Sequence, residues 1–130
     1  MIVLDASAVV ELVTNGPLAE SLRHDLASRE DTFIAPHLLD IEVLSALRNM
    51  VAGQRLDSHR CEQILENLGV FPAERYEHTP LLRRIWELRH NFTAYDATYI
   101  ALAEATNAVL YTCDKKLCTG HRARVKLFSD

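Results

Sequence analysis

The segment NFTAYDATYIALAEATNAVLYTCD, residues 91–114, constrains the fold more than any other part of the chain. Thr93 is a residue type that caps helix N-termini, and residues 94–105 contain no Gly or Pro, so they predict a helix. The apolar run 108–111 predicts a short buried strand. A helix of about a dozen residues that leads directly into a buried strand is half of a parallel crossover unit, which indicates an α/β fold.

Four further runs predict the other strands of a parallel sheet. Residues 2–4 are apolar throughout, as expected of a strand that is covered on both faces, and residues 33–35 form a second run of this kind. Residues 70–76 contain Pro72, which cannot donate a ladder hydrogen bond and therefore favours an edge position. Residues 125–128 predict the last strand.

Helical patterns occupy most of the segments between these strands. The longest in the first half covers residues 37–52, where Ile41 and Leu44 widen an apolar stripe. Thr79 and Pro80 open a helix to about residue 90, and its apolar stripe contains Trp86, which favours a core position over a base-stacking role. The remaining predicted helices cover residues 7–13, capped by Ser7, 18–28, 56–68 and a short one at 115–119.

The length and composition indicate one ordinary globular domain over residues 1–130, built on a parallel sheet of four to five strands flanked by helices. The chain is 48% apolar and 25% charged. It has neither an apolar run of membrane-spanning length nor the basic start of a signal peptide, so we expect a cytoplasmic protein without membrane contact. The net charge of -4 argues against a protein that merely coats nucleic acid, but not against an enzyme that acts on it. Local basic patches remain possible among Arg83, Arg84, Arg89, Lys115, Lys116, Arg122, Arg124 and Lys126.

Four carboxylates occupy positions that can meet at one edge of the predicted sheet. Asp5 and Asp114 each follow a predicted strand, at the C-terminal edge where open α/β sheets bind ligands. Asp96 lies in the first turn of the helix that follows Thr93, and Glu42 emerges from the long helix. Each has a structural alternative, because Asp also caps turns and helices, and Asp96 with Thr93 resembles a capping box.

Glu42 shares a narrow polar seam with Ser45 and Asn49 between apolar residues of the same helix. A buried carboxylate in such a seam must be neutralised, paired or bound to a metal. Two like charges about 5 Å apart repel by roughly 3 kcal/mol at an effective dielectric near 20, so four converging acids need protons or a cation. Carboxylate ligands without a Cys or His companion favour Mg²⁺ or Mn²⁺ over zinc.

The motifs resemble those of PIN-domain ribonucleases of the VapC toxin kind. The resemblance rests on the opening IVLDASAVVELV, the segment HLLDIEVLSAL and the stretch AYDATYIALAEATNAVLYTCDKKL, and it covers nearly the whole chain. It implies a single PIN-like domain in which Asp5, Glu42, Asp96 and Asp114 hold one or two Mg²⁺ or Mn²⁺ ions and cut RNA. It also implies that Ser7 supports the metal site or the phosphate. A homodimer, and a small cognate antitoxin that inserts a segment into the active-site groove, are further implications.

One departure from the family pattern concerns the metal count. Some relatives carry a further acid shortly after the last motif, whereas Lys115, Lys116 and Leu117 follow Asp114 here. We therefore expect a second ion to bind weakly or only together with RNA. The expected reaction is attack by a metal-activated water, because Ser7 has no nearby His that would make it a nucleophile. RNA selectivity would then come from the groove walls and from RNA shape.

Three other functions compete with this interpretation. A phosphoacceptor receiver domain needs adjacent acids after the first strand and an acceptor Asp after the third, but Ala6 and Ser7 follow Asp5 and the third strand region offers no such Asp. A phosphatase with an Asp-x-Asp start is disfavoured because Ser7 occupies the second acidic position. A catalytically inactive PIN-like binding module stays open, because a sequence does not prove turnover.

Overall fold

The chain forms a five-stranded parallel sheet with helices packed around it. The structure is a computed structural model that describes residues 1–130. The strands follow the order β3-β2-β1-β4-β5, and all neighbours run parallel. This result confirms the predicted α/β class and the edge position of the third strand. The strands are β1 (Ile2–Leu4), β2 (Phe33–Pro36), β3 (Ala73–Tyr76), β4 (Val109–Thr112) and β5 (Arg124–Leu127).

Six α-helices connect and cover the strands. None of them has the length and apolar content needed to span a bilayer. Most predicted boundaries agree with the structure within one or two residues. The helices are α1 (Ala6–Thr14), α2 (Ala19–Ala27), α3 (Leu38–Ala52), α4 (Ser58–Gly69), α5 (Leu82–Glu87) and α6 (Ala94–Thr106), and single 3-10 turns cover Thr79–Leu81 and Lys115–Leu117.

The central strand β1 sets the position of the sheet edge that matters for function. All three of its residues are buried, and because successive side chains of a strand point to opposite faces, both faces must be covered. Helix α6 packs against β1 and β2, while α1 packs against β4 and α3. β1 pairs with β4 so that Leu4 lies opposite Tyr111. The residues that follow these two strands therefore emerge side by side.

The helix ends follow capping chemistry, with one correction to the sequence analysis. Thr93 caps α6 as predicted, and Asn107 ends that helix in the left-handed region with a φ of 55°. Helix α1 is capped by Asp5 and not by Ser7. The carboxylate of Asp5 accepts a hydrogen bond from the N–H of Ala8, which leaves the Ser7 hydroxyl available for other partners.

The helix predicted over residues 79–90 is wrong in its extent and in its buried face. A 3-10 turn precedes α5, and its tighter winding changes which side chains face inward. Leu81 and Leu88 are buried, but Leu82 is 54% exposed and Trp86 is 66% exposed. The predicted core position of Trp86 is therefore wrong.

Candidate active site

Asp5 is the most constrained of the predicted site residues. It follows β1 and is 4% exposed. Its Oδ1 accepts hydrogen bonds from the Ser7 hydroxyl at 2.7 Å and from the Ala8 N–H at 3.0 Å, and its Oδ2 accepts one from the Thr112 hydroxyl. A carboxylate offers about four lone-pair positions. One position on Oδ2 therefore stays free for a further ligand.

Ser7 and Thr112 join the ends of β1 and β4 around this carboxylate. The Ser7 Oγ accepts a hydrogen bond from the N–H of Cys113 at 2.9 Å. The Thr112 Oγ1 accepts one from the N–H of Asp114, also at 2.9 Å. Both hydroxyls thus donate to Asp5 and accept from the backbone just beyond β4, so they fix the position of the first acid relative to the last one.

The other three predicted acids lie around the same end of the sheet. Asp96 is half-buried in the first turn of α6, and Glu42 is half-buried in α3. Asp114 follows β4 and caps the 3-10 turn by accepting a hydrogen bond from the N–H of Lys116 at 3.0 Å. The turn role of Asp114 is therefore real, and its Oδ2 lies 3.7 Å from the ammonium of Lys116 at the surface.

Burial and mutual repulsion raise the pKa of three of these acids. Burial is the largest cause for Asp5, whose pKa rises to about 6 despite its three hydrogen bonds. Burial also raises the pKa of Glu42 and that of Asp96. The charge of Asp96 adds to the upward pKa shifts of Asp5 and Glu42. At Asp96 itself, Lys116 lowers the pKa and Asp114 raises it by less, so burial is what keeps that pKa raised. Because such effects require proximity, the four carboxylates share one neighbourhood that is short of positive charge.

Tyr99 contributes an unpartnered hydroxyl to this neighbourhood. The residue is 1% exposed, and its hydroxyl is buried without a hydrogen-bond partner. It lies near enough to Glu42 to lower the pKa of that acid, although the contact lacks hydrogen-bond geometry. Burial raises the pKa of Tyr99, and the carboxylates of Glu42, Asp5 and Asp96 raise it further. A buried donor without a partner is typical of a place that an ion or a water completes.

The chemistry of the donors fits a hard divalent cation. As placed, no three His, Cys, Asp or Glu side chains meet closely enough to hold a metal ion together. Asp5 is fixed and keeps one free lone pair, whereas the half-buried Glu42, Asp96 and Asp114 are less constrained at the same end of the sheet. Cys113 lines the adjoining groove, and burial raises the pKa of its thiol to about 11, so the metal-free thiol is protonated at neutral pH. The donor set thus fits Mg²⁺ or Mn²⁺.

A groove of about 740 Å³ adjoins the acids between α1 and α3. One wall carries the polar seam of Glu42, Ser45 and Asn49 that the sequence indicated. Ile41 and Tyr95 also line it and are 64% and 60% exposed, so Ile41 does not widen a buried stripe as predicted. The groove gives a ligand of mixed polarity direct access to the acids.

Sequence reasoning missed Thr112 and Tyr99. Thr112 lies beside Asp5 only because β4 is the neighbour of β1, and strand order is not readable from local sequence. Its position as the last residue of the strand before Asp114 is the signal that a pairing of β1 with β4 would have used. Tyr99 lies three residues after Asp96 in α6, so the two share a helix face, a spacing that was available in the sequence.

Comparison with known proteins agrees with the fold of this chain. The chain matches the family model of the PIN domain over residues 2–120. It is 37% identical over 129 residues to Ribonuclease VapC12 of Mycobacterium tuberculosis, with 98% of each chain covered. It is 43% identical over 117 residues to Ribonuclease VapC1 of the same organism, which covers 88% of this chain and 86% of the relative. A toxin-antitoxin complex from Klebsiella pneumoniae has the same fold, with a TM-score of 0.70 at 16% identity over 100% of both chains.

The chain therefore belongs to the PIN-domain family and, within it, to the VapC-type ribonucleases. The resemblance drawn from the sequence motifs is confirmed.

Proposed function

We propose that this protein is a divalent-metal-dependent endoribonuclease and the toxin of a toxin–antitoxin pair, with Asp5, Glu42, Asp96 and Asp114 as its metal ligands. The observation that carries the proposal is a pocket of acids short of cationic partners in a chain of the VapC type. Nucleases of this type generally depend on a divalent metal ion. Mg²⁺ or Mn²⁺ fits the all-carboxylate donor set, with one ion bound firmly and a second recruited with RNA.

The residues of the pocket have different proposed roles in hydrolysis. A divalent cation, when bound, supplies Lewis-acid activation of water and offsets charge on the scissile phosphate. Asp5 offers one directed lone pair, which Ser7 and Thr112 hold in place through the other positions. Glu42 and Asp96 bring negative charge to the same neighbourhood from two helices, and the Tyr99 hydroxyl can donate to one of them. No side chain needs to act as a covalent nucleophile.

The partners follow from the family and the groove. RNA is the proposed substrate, and the related toxin-antitoxin complex from Klebsiella pneumoniae supports an antitoxin partner. The exposed apolar side chains of Ile41 and Tyr95 beside the acids suit a segment inserted by that partner. A homodimer, a cytoplasmic location and a single domain over residues 1–130 complete the proposal. Sedimentation equilibrium of the purified protein tests the dimer, and a monomer mass at micromolar concentration would refute the proposed dimer.

The strand order of this sheet differs from that of a receiver domain and so disfavours the receiver-domain alternative. Receiver-like doubly wound sheets place the strands in the order 2-1-3-4-5. Here β3 is at the edge next to β2, and β4 is next to β1. The inactive PIN-like module is the alternative that an activity measurement must address.

The test is cleavage of labelled single-stranded and structured RNAs with Mn²⁺, Mg²⁺ or EDTA. The unchanged protein should cut with metal and stop with EDTA, and Asp5→Asn should abolish cutting. Asp57→Asn is the matched control, because Asp57 caps α4 by accepting a hydrogen bond from the His59 N–H but lies outside the pocket. Cleavage that persists in Asp5→Asn would refute the site, and no cleavage of any RNA would favour the inactive module.

A further inference from the structure

The outer face of α5 exposes the only tryptophan of the chain. Trp86 is 66% exposed and shares this face with Leu82, one helical turn away. The guanidinium of Arg89 lies over the indole ring, 4.4 Å from its centroid. Aromatic and guanidinium planes are the groups on which unpaired nucleobases stack.

An arginine-lined cleft of about 780 Å³ adjoins this helix. Arg83 and Arg84 line it from α5, and Arg122 and Arg124 line it from the segment that enters β5. Arg84 is committed to Glu104, with its Nε 2.7 Å from the carboxylate. Arg83 forms no ion pair, and the side chain of Arg122 is 76% exposed with its nearest acid 3.8 Å away.

The charge of this region is opposite to that of the protein as a whole. The cleft is lined by four arginines and two glutamates, Glu87 and Glu104, so it carries an excess of two positive charges in a chain of net charge -4. Arg89 adds a further positive charge beside Trp86. A local positive field of this kind concentrates polyanions on an otherwise acidic surface.

The position of α5 connects the catalytic acids with the cleft. The Arg84–Glu104 pair joins the first half of α5 to the last turn of α6, so the two helices, linked by a short connection, run antiparallel. Trp86 and Arg89 therefore lie toward the N-terminal end of α6, where Asp96 is found. From Asp96 to Glu104 the axis of α6 rises by about 12 Å. The arginine cleft thus lies toward the end of α6 opposite Asp96, and α5 runs alongside α6.

We propose that Leu82, Arg83, Trp86, Arg89, Arg122 and Arg124, here called the α5 surface, bind single-stranded RNA beyond the cleaved bond. The proposal rests on the ribonuclease function proposed above. Trp86 and Arg89 stack on unpaired bases. Phosphates bind the unpaired guanidinium of Arg83 and the N–H groups that Arg122 and Arg124 do not use toward Glu104 and the Asn107 carbonyl. The excess of positive charge in the cleft favours a polyanion over a protein partner. The surface therefore gives affinity with little dependence on base identity.

The first test measures RNA binding without cleavage. Fluorescence anisotropy with a single-stranded RNA of about 12 nucleotides is done in an Asp96→Asn background, where turnover is silenced. Trp86→Ala should weaken binding about tenfold, whereas Trp86→Phe, which keeps an aromatic plane, should stay within about twofold. Leu65→Ala removes another exposed apolar side chain, on α4, and should have no effect.

The second test separates phosphate contacts from stacking. Combined Arg83→Ala and Arg122→Ala substitutions should lower the slope of log affinity against log salt by about 1.4, since each lost single-strand phosphate contact removes about 0.7. Arg55→Ala, at an exposed position after α3, should leave the slope unchanged. An unaltered slope in the double variant would exclude the cleft as a phosphate site.

The third test distinguishes failure of this inference from failure of the proposed function. In the active protein, Trp86→Ala should raise KM for the longer RNA about tenfold with kcat unchanged, and should not affect a dinucleotide. If the unchanged protein cuts no RNA while Trp86 still governs binding, the proposed function fails and the α5 surface stands. If Trp86→Ala binds and cuts normally, the inference is refuted. If Trp86→Ala instead loses self-association or antitoxin binding while its RNA binding is intact, the inference is also refuted, and the α5 surface is a protein interface.

Discussion

The two ends of α6 carry carboxylates under opposite electrostatic conditions. At the C-terminal end, burial alone would raise the pKa of Glu104, but hydrogen bonds from Arg84 and from the Arg122 N–H outweigh it and hold that pKa below its usual value. At the N-terminal end, burial raises the pKa of Asp96, and the opposing charge of Lys116 does not outweigh it. One helix thus joins an acid that is compensated within the protein to one that is not.

Two acids elsewhere in the chain, Asp25 and Asp40, resemble Glu104 and not Asp96. Burial of Asp25 is outweighed by Lys126, Tyr111 and Arg29, so its pKa falls to about 2. Asp40, whose place in the sequence is explained by the dipole of α3, forms an ion pair with Arg75 at 2.7 Å in the structure. The shortage of cations at Asp5, Glu42 and Asp96 is therefore local, which is the condition expected of a site that receives its cation from solution.

Neutralising the acid at each end of α6 should have very different effects on cleavage. Asp96→Asn should reduce metal-dependent RNA cleavage by about a hundredfold or more, because it removes a ligand charge from the pocket. Glu104→Gln should leave cleavage close to that of the unchanged protein. Single-turnover assays at saturating Mn²⁺ measure cleavage by both variants. Equal losses of activity would contradict the assignment of different roles to Asp96 and Glu104.

The next effect concerns the stability of the metal-free protein. The pKa of Asp5 is raised from 3.8 to about 6, and each pKa unit is worth 1.36 kcal/mol, so ionised Asp5 lowers the free energy of unfolding by about 3 kcal/mol. Asp5→Asn should therefore stabilise the metal-free protein at pH 7 to 8 by up to about 3 kcal/mol. Asn keeps the cap, and the Thr112 hydroxyl can turn to accept from the amide.

The sign of this effect fixes its pH dependence. The folded state binds the Asp5 proton more tightly than the unfolded state, so the stability contribution of this group is full below pH 4 and is lost as the pH rises through about 6. The difference between Asp5→Asn and the unchanged protein in urea unfolding should therefore vanish near pH 4. Asp57→Asn provides the control for the amide substitution. A gain that is the same at every pH would show that desolvation of the charge is not its cause.

Glu104→Gln should change stability in the opposite direction. Removing the charge that Arg84 and the Arg122 N–H bind should lower the free energy of unfolding by about 2 kcal/mol at pH 7. Because the pKa of Glu104 is lowered in the folded state, this contribution is present above its unfolded pKa and is lost as the pH falls through its folded pKa. Urea unfolding at pH 7 and at pH 3 measures it, and a variant as stable as the unchanged protein at pH 7 would contradict the compensation assigned to Glu104.

The smallest predicted effects are changes in the stability of the metal-free protein when the hydroxyl of either of two buried tyrosines is removed. Tyr99→Phe removes a hydroxyl without a partner, so the stability of the metal-free protein should stay the same or rise by about 1 kcal/mol. Tyr111→Phe removes a hydroxyl that donates to Asp25 and should lower stability by about 1 to 2 kcal/mol. Thermal unfolding in EDTA compares them. A larger loss for Tyr99→Phe than for Tyr111→Phe would mean that the Tyr99 hydroxyl is bonded after all.

Much of the fold was predictable because its signals are local. The segment 91–114 predicted α6 and β4 nearly as they are, and Thr93 caps that helix for the chemical reason that the sequence indicated. The prediction failed at α5, where a 3-10 turn shifts the helical phase and leaves Trp86 exposed. It also failed at the start of α1, where Asp5 competes with Ser7 for the cap.

The site was predictable only in part, because its support comes from neighbours in space. Asp5 and Asp114 could be placed from the rule that ligands bind beyond the C-terminal ends of parallel strands. Thr112 could not be assigned to Asp5 without knowing that β4 pairs with β1. The compensation of Glu104 by Arg84, 20 residues away, was likewise invisible, since a sequence gives charges but not their pairing.

The most direct test of the central claim measures how Mn²⁺ changes the stability of three proteins: the unchanged protein, Asp96→Asn and Glu104→Gln. A ligand that binds only the folded state stabilises it in proportion to the logarithm of its concentration above Kd. The Mn²⁺-induced rise in Tm should be the same in Glu104→Gln as in the unchanged protein and should be lost in Asp96→Asn. An equal rise in all three proteins would contradict the assignment of the cation to the N-terminal end of α6.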